Sequence, residues 1–247
     1  MMDLNDTDRI RYQRQISIPG WGEEGQARIK AARVFIAGAG GLGSPVAFYL
    51  AAAGVGEITI CDSDRVELTN LNRQLLHSDE RIGELKAESA ARTLRQLNPD
   101  IRVVPIPEKL DKSNAERIIK KPDILLDCLD NYETRYLLNE YSIGTGIPLV
   151  HGAIWGLVGQ VTFLAPPMTP CLRCIVPTPP AGGIFPAVGV TAGVIGSLQA
   201  MEALKYLTGI GTNLKGTMLF FDGEEMTFTP LQVRRGVSCP ACGHLTL

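Results

Sequence analysis

The sequence has no apolar run long enough to cross a bilayer. Its least polar stretch, residues 186–200, is broken by glycine and serine and is shorter than the roughly 20 residues a spanning helix needs. Excess basic charge is also missing. The 24 Lys and Arg face 26 Asp and Glu, and a net charge of −2 gives a nucleic-acid backbone no reason to bind. The opening MMDLNDTDRIRYQRQ has no apolar core, so no signal peptide is expected and a cytoplasmic location follows, with no membrane or nucleic-acid partner. Cysteine is too sparse for a disulfide scaffold: of six in 247 residues, four fall in two Cys-x-x-Cys pairs. The other two, Cys61 and Cys128, sit in apolar strand-like runs and are expected to be buried packing residues.

What is present is an ordinary globular balance, 45% hydrophobic and 20% charged. From Arg33 onward, strand-like and helix-like stretches alternate. ARVFIAGAG reads as a strand entering a glycine turn, SPVAFYLAAAG as a helix, and EITICD (57–62) as a second strand. A helical pattern from about Lys86 to Asn98, then IRVVPIP, SNAERIIKK, DILLDCLD, YETRYLLNEYSIGTG and PLVHG, continue the alternation. This order predicts a Rossmann-like, doubly wound and mainly parallel α/β sheet. After about Gly159 the pattern changes to a strand at GQVTFLAP, a Pro/Gly-rich loop and a long helix over roughly 188–207. Two antiparallel strands around Asp222-Gly223 follow. We divide the single domain into an N-terminal helical part (1–32), an alternating strand–helix core (33–158) and a part of changed pattern that carries both cysteine pairs (159–247).

Gly38-Ala39-Gly40-Gly41-Leu42-Gly43 satisfies G-x-G-x-x-G between a strand and a helix, where the backbone must approach phosphates closely. Asp62 ends the second strand, where a carboxylate accepts from ribose hydroxyls. Alone, these features also suit a nicotinamide-dependent oxidoreductase. The following loop, with Asn70, Arg73 and Gln74, and Lys86 at the next helix start, offers more donors than a diphosphate cofactor uses. A triphosphate uses them, although singly Arg73 and Lys86 also read as solvated surface residues. Asp127 and Asp130 close the fourth strand. Asp130 is the better magnesium ligand, because Asp127 lies further inside the apolar run.

Cys171, Cys174, Cys239 and Cys242 form two Cys-x-x-Cys knuckles, the donor set of a tetrahedral structural zinc that would pin the C-terminal tail. A redox role is the weaker reading, since neither pair opens a helix after a strand.

RYQRQI, GAGGLGS, the D-x-D-x-V-x-x-x-N-L-N-R-Q run, LDCLDN and the cysteine pairs together resemble the MoeB/ThiF family, prokaryotic relatives of ubiquitin-activating enzymes. GVIGSLQAMEALK at 193–205 places the resemblance nearest the molybdopterin-synthase adenylyltransferases. The resemblance implies ATP-dependent adenylylation, with Mg2+, of the C-terminal Gly-Gly carboxylate of a ubiquitin-like sulfur-carrier protein, in molybdenum-cofactor or thiamine biosynthesis. It implies that Gly38, Gly40, Gly41 and Gly43 contact ATP and that Asp62 holds the ribose. Asn70, Arg73 and Lys86 would hold the phosphates and Asp130 the magnesium. Arg14 would reach the phosphates from a neighbouring subunit, so a homodimer is implied. Many relatives carry a cysteine in the loop after the first cysteine pair. Here that loop, 175–193, has none, and the equivalent position falls near Gly182. No covalent enzyme–carrier intermediate is therefore expected, and sulfur would come from a sulfurtransferase, a cysteine desulfurase or a small donor. His77 and His151 read as satisfied structural histidines, and His244 as a neighbour of the zinc. A small carboxylate or tRNA substrate, or a scaffold role, are the remaining alternatives.

Overall fold

Alternation along β1 (Arg33–Ala37) sends side chains to two faces, and both are buried. Val34 and Ile36 join one apolar cluster while Phe35 and Ala37 join another, which is why every residue past Arg33 is apolar. The computed structural model describes residues 3–180 and 185–246. Its strands form one eight-stranded sheet in the order β3-β2-β1-β4-β5-β6-β7-β8. β2 (Glu57–Cys61), β3 (Arg102–Ile106), β4 (Ile124–Asp127) and β5 (Leu149–Trp155) extend β1 as a parallel block. β6 (Val158–Leu164), β7 (Thr217–Asp222) and β8 (Thr227–Gln232) continue it antiparallel. The doubly wound sheet with an antiparallel extension expected from the sequence is the one that forms.

The N-terminal part holds α1 (Asp6–Arg11), α2 (Gln13–Ile16) and α3 (Gly22–Ala31). One sheet face is covered by α3, α4 (Gly43–Ala53), α5 (Lys86–Leu97) and the 20-residue α9 (Gly189–Thr208). The other carries α6 (Ala115–Ile119), α7 (Tyr132–Thr145) and α8 (Leu172–Ile175). The division placed at 158/159 falls inside the β5–β6 hairpin, so the core and the part after it share one sheet. Among the described residues, no helix is long and apolar enough to cross a membrane.

Candidate active site and four-cysteine cluster

Strand order reverses at β1, which has β2 on one side and β4 on the other. In such sheets ligands bind beyond the strand C-termini at that point. Ala37 pairs with both Cys61 and Asp127, so the next residues, Gly38, Asp62 and Cys128, emerge side by side. They open onto a cleft of about 960 Å³.

One end of the cleft is polar. Gly38, Gly40 and Gly41 line it, with Asp62, Arg73 and Lys86 around them. Gly38 has φ +99°, and a Cβ there would stand 2.6 Å from Cys128 O, so this position requires glycine. Asp62 Oδ2 accepts from Ala39 N and Oδ1 from Asp64 N, both at 2.8 Å, which ties the glycine turn to the end of β2. Burial pushes the Asp62 carboxyl up against the pull of those two amides. Lys86 is buried at the start of α5, with Nζ 3.0 Å from Asp64 Oδ2. Arg73 is half-buried and its Nη1 donates to Thr69 O at 2.9 Å. His77, whose pKa burial lowers, braces the turn from below through Ala39 O and Ser89 Oγ, each at 2.9 Å.

Three of the residues singled out in the sequence stand off the cleft wall. Gly43 lies under the turn, where a Cβ would meet Gly38 O at 2.0 Å. Asn70 is buried and folds back on its own 3-10 turn, its Oδ1 accepting from Glu67 N at 3.1 Å. Arg14 is exposed on α2. The loop position near Gly182 lies outside the described residues.

Asp130 lines the middle of the cleft and is exposed. Asp127, three residues earlier, is fully buried and committed: His151 Nδ1 donates to its Oδ2 at 2.6 Å and Leu129 N to its Oδ1 at 3.2 Å. That difference leaves Asp130 as the carboxylate able to take a metal from solvent. Arg135, from the first turn of α7, lies beside Asp127 and also lines the cleft. The sequence gives no local signal for this grouping, because its members are spread over β4, β5 and α7.

The far end is apolar, formed by Ile154, Trp155, Phe220, Phe185 and Pro186. Trp155 and Phe185 meet edge to face at 5.2 Å, and Gly156 N donates to Pro186 O at 2.8 Å, holding the loop against the β5–β6 hairpin. Trp155 carries little signal in the sequence. Its only signal is that it is one of two tryptophans, next to a glycine turn.

The four paired cysteines converge at α8 and the C-terminal tail, with all four Sγ atoms within 4.8 Å of one another. Sγ separations are 3.8 Å for Cys171–Cys174, 3.7 Å for Cys171–Cys239 and 3.4 Å for Cys174–Cys242. A tetrahedral ion with metal–sulfur bonds of about 2.3 Å needs edges of about 3.8 Å, so the donor set fits such an ion. Gly236 N donates to Cys174 Sγ at 3.3 Å, the kind of outer hydrogen bond that orients a thiolate. His244 is exposed and outside the cluster.

A crevice at the switch point, lined by a glycine turn, a carboxylate at the end of β2 and two cations, has the build of a nucleotide site in an α/β enzyme. The chain belongs to the ThiF family, whose model matches residues 12–241. It is 45% identical over 249 residues to the SAMP-activating enzyme E1 of Haloferax volcanii, covering 98% of this chain and 92% of that one. The sulfur carrier protein adenylyltransferase of Thermus thermophilus is 46% identical, over 94% of this chain and 90% of its own. Adenylyltransferase and sulfurtransferase MOCS3 of Xenopus laevis is 40% identical over 98% of this chain, which spans 55% of that protein. With these relatives the chain is an enzyme of the adenylyltransferase class. In fold it matches E. coli MccB solved with ATP, at a TM-score of 0.86 and 24% identity, over 97% of this chain and 75% of that one.

Proposed function

We propose that the protein uses MgATP to adenylylate the C-terminal carboxylate of a ubiquitin-like sulfur-carrier protein ending in Gly-Gly, releasing pyrophosphate. The observation that carries this reading is the continuity of one cleft, from the cationic glycine-turn end, past Asp130, to the aromatic end at Trp155. A nucleotide fills the first part and a narrow peptide tail enters through the second.

The attacking carboxylate, with an ordinary pKa of about 3.5, is ionised at neutral pH, so no general base is required. Both buried histidines are engaged elsewhere, in agreement. Gly40 and Gly41 give the phosphates close backbone approach, and Asp62 receives the ribose hydroxyls. Lys86 and Arg73 neutralise the leaving pyrophosphate. Asp130 would hold the magnesium of MgATP, which would supply further charge neutralisation. Arg14, exposed on α2, would serve a second copy across a homodimer. Cys171, Cys174, Cys239 and Cys242 would hold a zinc that anchors the tail. The three portions of the chain act as one adenylating unit.

Pyrophosphate exchange tests the proposal. Run separately with the small subunit of molybdopterin synthase and with a ThiS-type carrier, it assigns the pathway by which one supports exchange. Exchange with neither, together with binding of NADH in place of ATP, would return the site to an oxidoreductase.

A further inference from the structure

We propose that Arg135, together with Asp127, is a positioning residue that fixes the link bearing Asp130 and so sets where magnesium meets the phosphates. The proposal rests on the reading of Asp130 given above.

Asp130 sits on the short link between β4 and α7. The residue before it, Leu129, is held at both backbone groups. Its N–H donates to Asp127 Oδ1 at 3.2 Å, and its C=O accepts from Arg135 Nη2. The same Nη2 donates to Gly152 O on β5 at 3.1 Å, which ties the link to the neighbouring strand. Arg135 Nε faces Asp127 Oδ1 at 3.6 Å. From the far side His151 Nδ1 donates to Asp127 Oδ2 at 2.6 Å, and Gln199 on α9 donates to Asp127 O at 2.8 Å. The residue after Asp130, Asn131, is itself fixed as the N-cap of α7, its side chain accepting from Thr134 N at 2.9 Å. Asp130 is thus an exposed carboxylate between two anchored neighbours.

Stability alone gives little reason for this arrangement. Arg135 is 5% exposed and Asp127 0%, and a buried ion pair often stabilises a fold no more than apolar residues of the same volume. It does fix geometry. The planar guanidinium sets Nη2 between the two carbonyls while it turns Nε toward Asp127, an arrangement that a lysine ammonium on a flexible stem reproduces less well. Partners one step removed from a metal ligand commonly change metal affinity 10- to 100-fold.

The test is calorimetric binding of ATP, with and without Mg2+, to the wild type, Arg135→Lys and Asp127→Asn. Metal-free ATP affinity should stay within about twofold. The Mg2+ concentration giving half-maximal tightening should rise about tenfold in each variant. An unchanged magnesium response in a folded variant, or metal-free affinity falling by the same factor, overturns the proposal. Hydrogen exchange on the wild type tests it without any substitution. The Leu129 amide should be protected at least about a hundredfold in the free protein, and exchange at the rate of an open loop overturns the clamp. A wild type lacking magnesium-assisted ATP binding removes the reading of Asp130 and the proposal with it. Failure of the clamp alone leaves the wild-type response intact.

Discussion

Lys86 and Asp64 are joined twice: Lys86 N donates to Asp64 O at 2.8 Å, and Lys86 Nζ pairs with Asp64 Oδ2 at 3.0 Å. Asp64 N in turn donates to Asp62, which accepts from the glycine turn at Ala39. One chain of contacts therefore links Asp62, the glycine turn and the buried lysine. Such preorganisation is the main device of a reaction that needs positioning and charge rather than proton transfer.

Lys86→Met tests how that lysine is used. Asp64 is largely exposed and stays solvated after the change, so the pair contributes at most about 1 kcal/mol and the fold should persist. Pyrophosphate exchange should fall at least about a hundredfold, the scale of losing one charge-stabilising donor. A folded Lys86→Met protein that exchanges within a fewfold of wild type would remove Lys86 from the phosphate site.

The glycine turn separates folding from binding. Gly43→Ala would put a Cβ 2.0 Å from Gly38 O, a backbone atom with nowhere to go, and should destabilise by about 1–3 kcal/mol or more. Gly41→Ala meets Ala192 Cβ at 3.4 Å and the Arg73 stem at 3.6 and 3.7 Å, ordinary contact distances, so stability should change by about 0.5 kcal/mol or less. Its methyl group narrows the phosphate end of the cleft, and ATP affinity should drop. Urea denaturation and ATP titration on both variants check the contrast. Equal loss of stability in the two would contradict it.

That contrast also shows where sequence reading reaches. The glycine turn and each Cys-x-x-Cys pair are short runs, and Asp62 closes the next strand after the turn, so each shows its residue types at a fixed position for a local reason. The parallel block was legible for the same reason, since apolar strands such as ILLD report burial on both faces. Asn70 shows what composition does not reveal, because its Oδ1 accepts from Glu67 N, a local side-chain to backbone contact within its own turn. The grouping of Asp127, Arg135 and His151 was not legible. It depends on the register of β4 with β5, Asp127 beside His151, and on how α7 packs, which no local pattern encodes.

Acid should destabilise the protein through that same buried group. Burial pushes the His151 pKa down, and the hydrogen bond to Asp127 opposes this only in part, so the folded site disfavours the protonated ring relative to the unfolded chain. Burial pushes the Asp127 carboxyl up, but Arg135 and then His151 outweigh it and hold the group below the ordinary carboxylate range. Unfolding frees both. An unfolded histidine takes a proton below about pH 6.5 that the folded one refuses. Stability from neutral His151 is therefore complete above that pH and is lost as pH falls toward the folded value. The Asp127 contribution is complete above about pH 3.9 and is lost as pH drops through its depressed folded value. Urea midpoints should decline from pH 7 to 5, by up to about 1.4 kcal/mol per pH unit for each proton. His151→Gln keeps a donor for Asp127 and should flatten that decline. His77, also lowered by burial, would account for the slope that remains.

The cysteine cluster makes a compositional prediction. Protein purified without chelator should contain one zinc per chain, and Cys242→Ala should contain none. Loss of the ion should raise hydrogen exchange across residues 236–246, where Gly236 N and the Arg235 contact to Cys242 O now hold the tail. Full zinc in the Cys242→Ala protein, or a metal-free wild type with the tail still protected, would remove the ion from the fold.

Activation should proceed without a thioester or other covalent bond between enzyme and carrier. A thiol nucleophile must be exposed and ionised near neutral pH. Four of the six cysteines are committed to the cluster. The two that line the nucleotide cleft fail on both counts. Cys61 is buried with Sγ 3.3 Å from Glu108 O, and burial first, then Asp62 and Glu108, pushes its pKa up to about 12. Burial, reinforced by Asp127, drives Cys128 well above its ordinary value. The 175–193 loop supplies no other thiol. Carrier incubated with the wild type and MgATP should therefore give only the mass of the free or adenylylated carrier on non-reducing gels and by intact-mass measurement. Added sulfide should consume the adenylate in proportion to its concentration, because attack then comes from solution. A reductant-sensitive species with the summed mass of enzyme and carrier, mapped to any cysteine here, would show that burial does not silence these thiols.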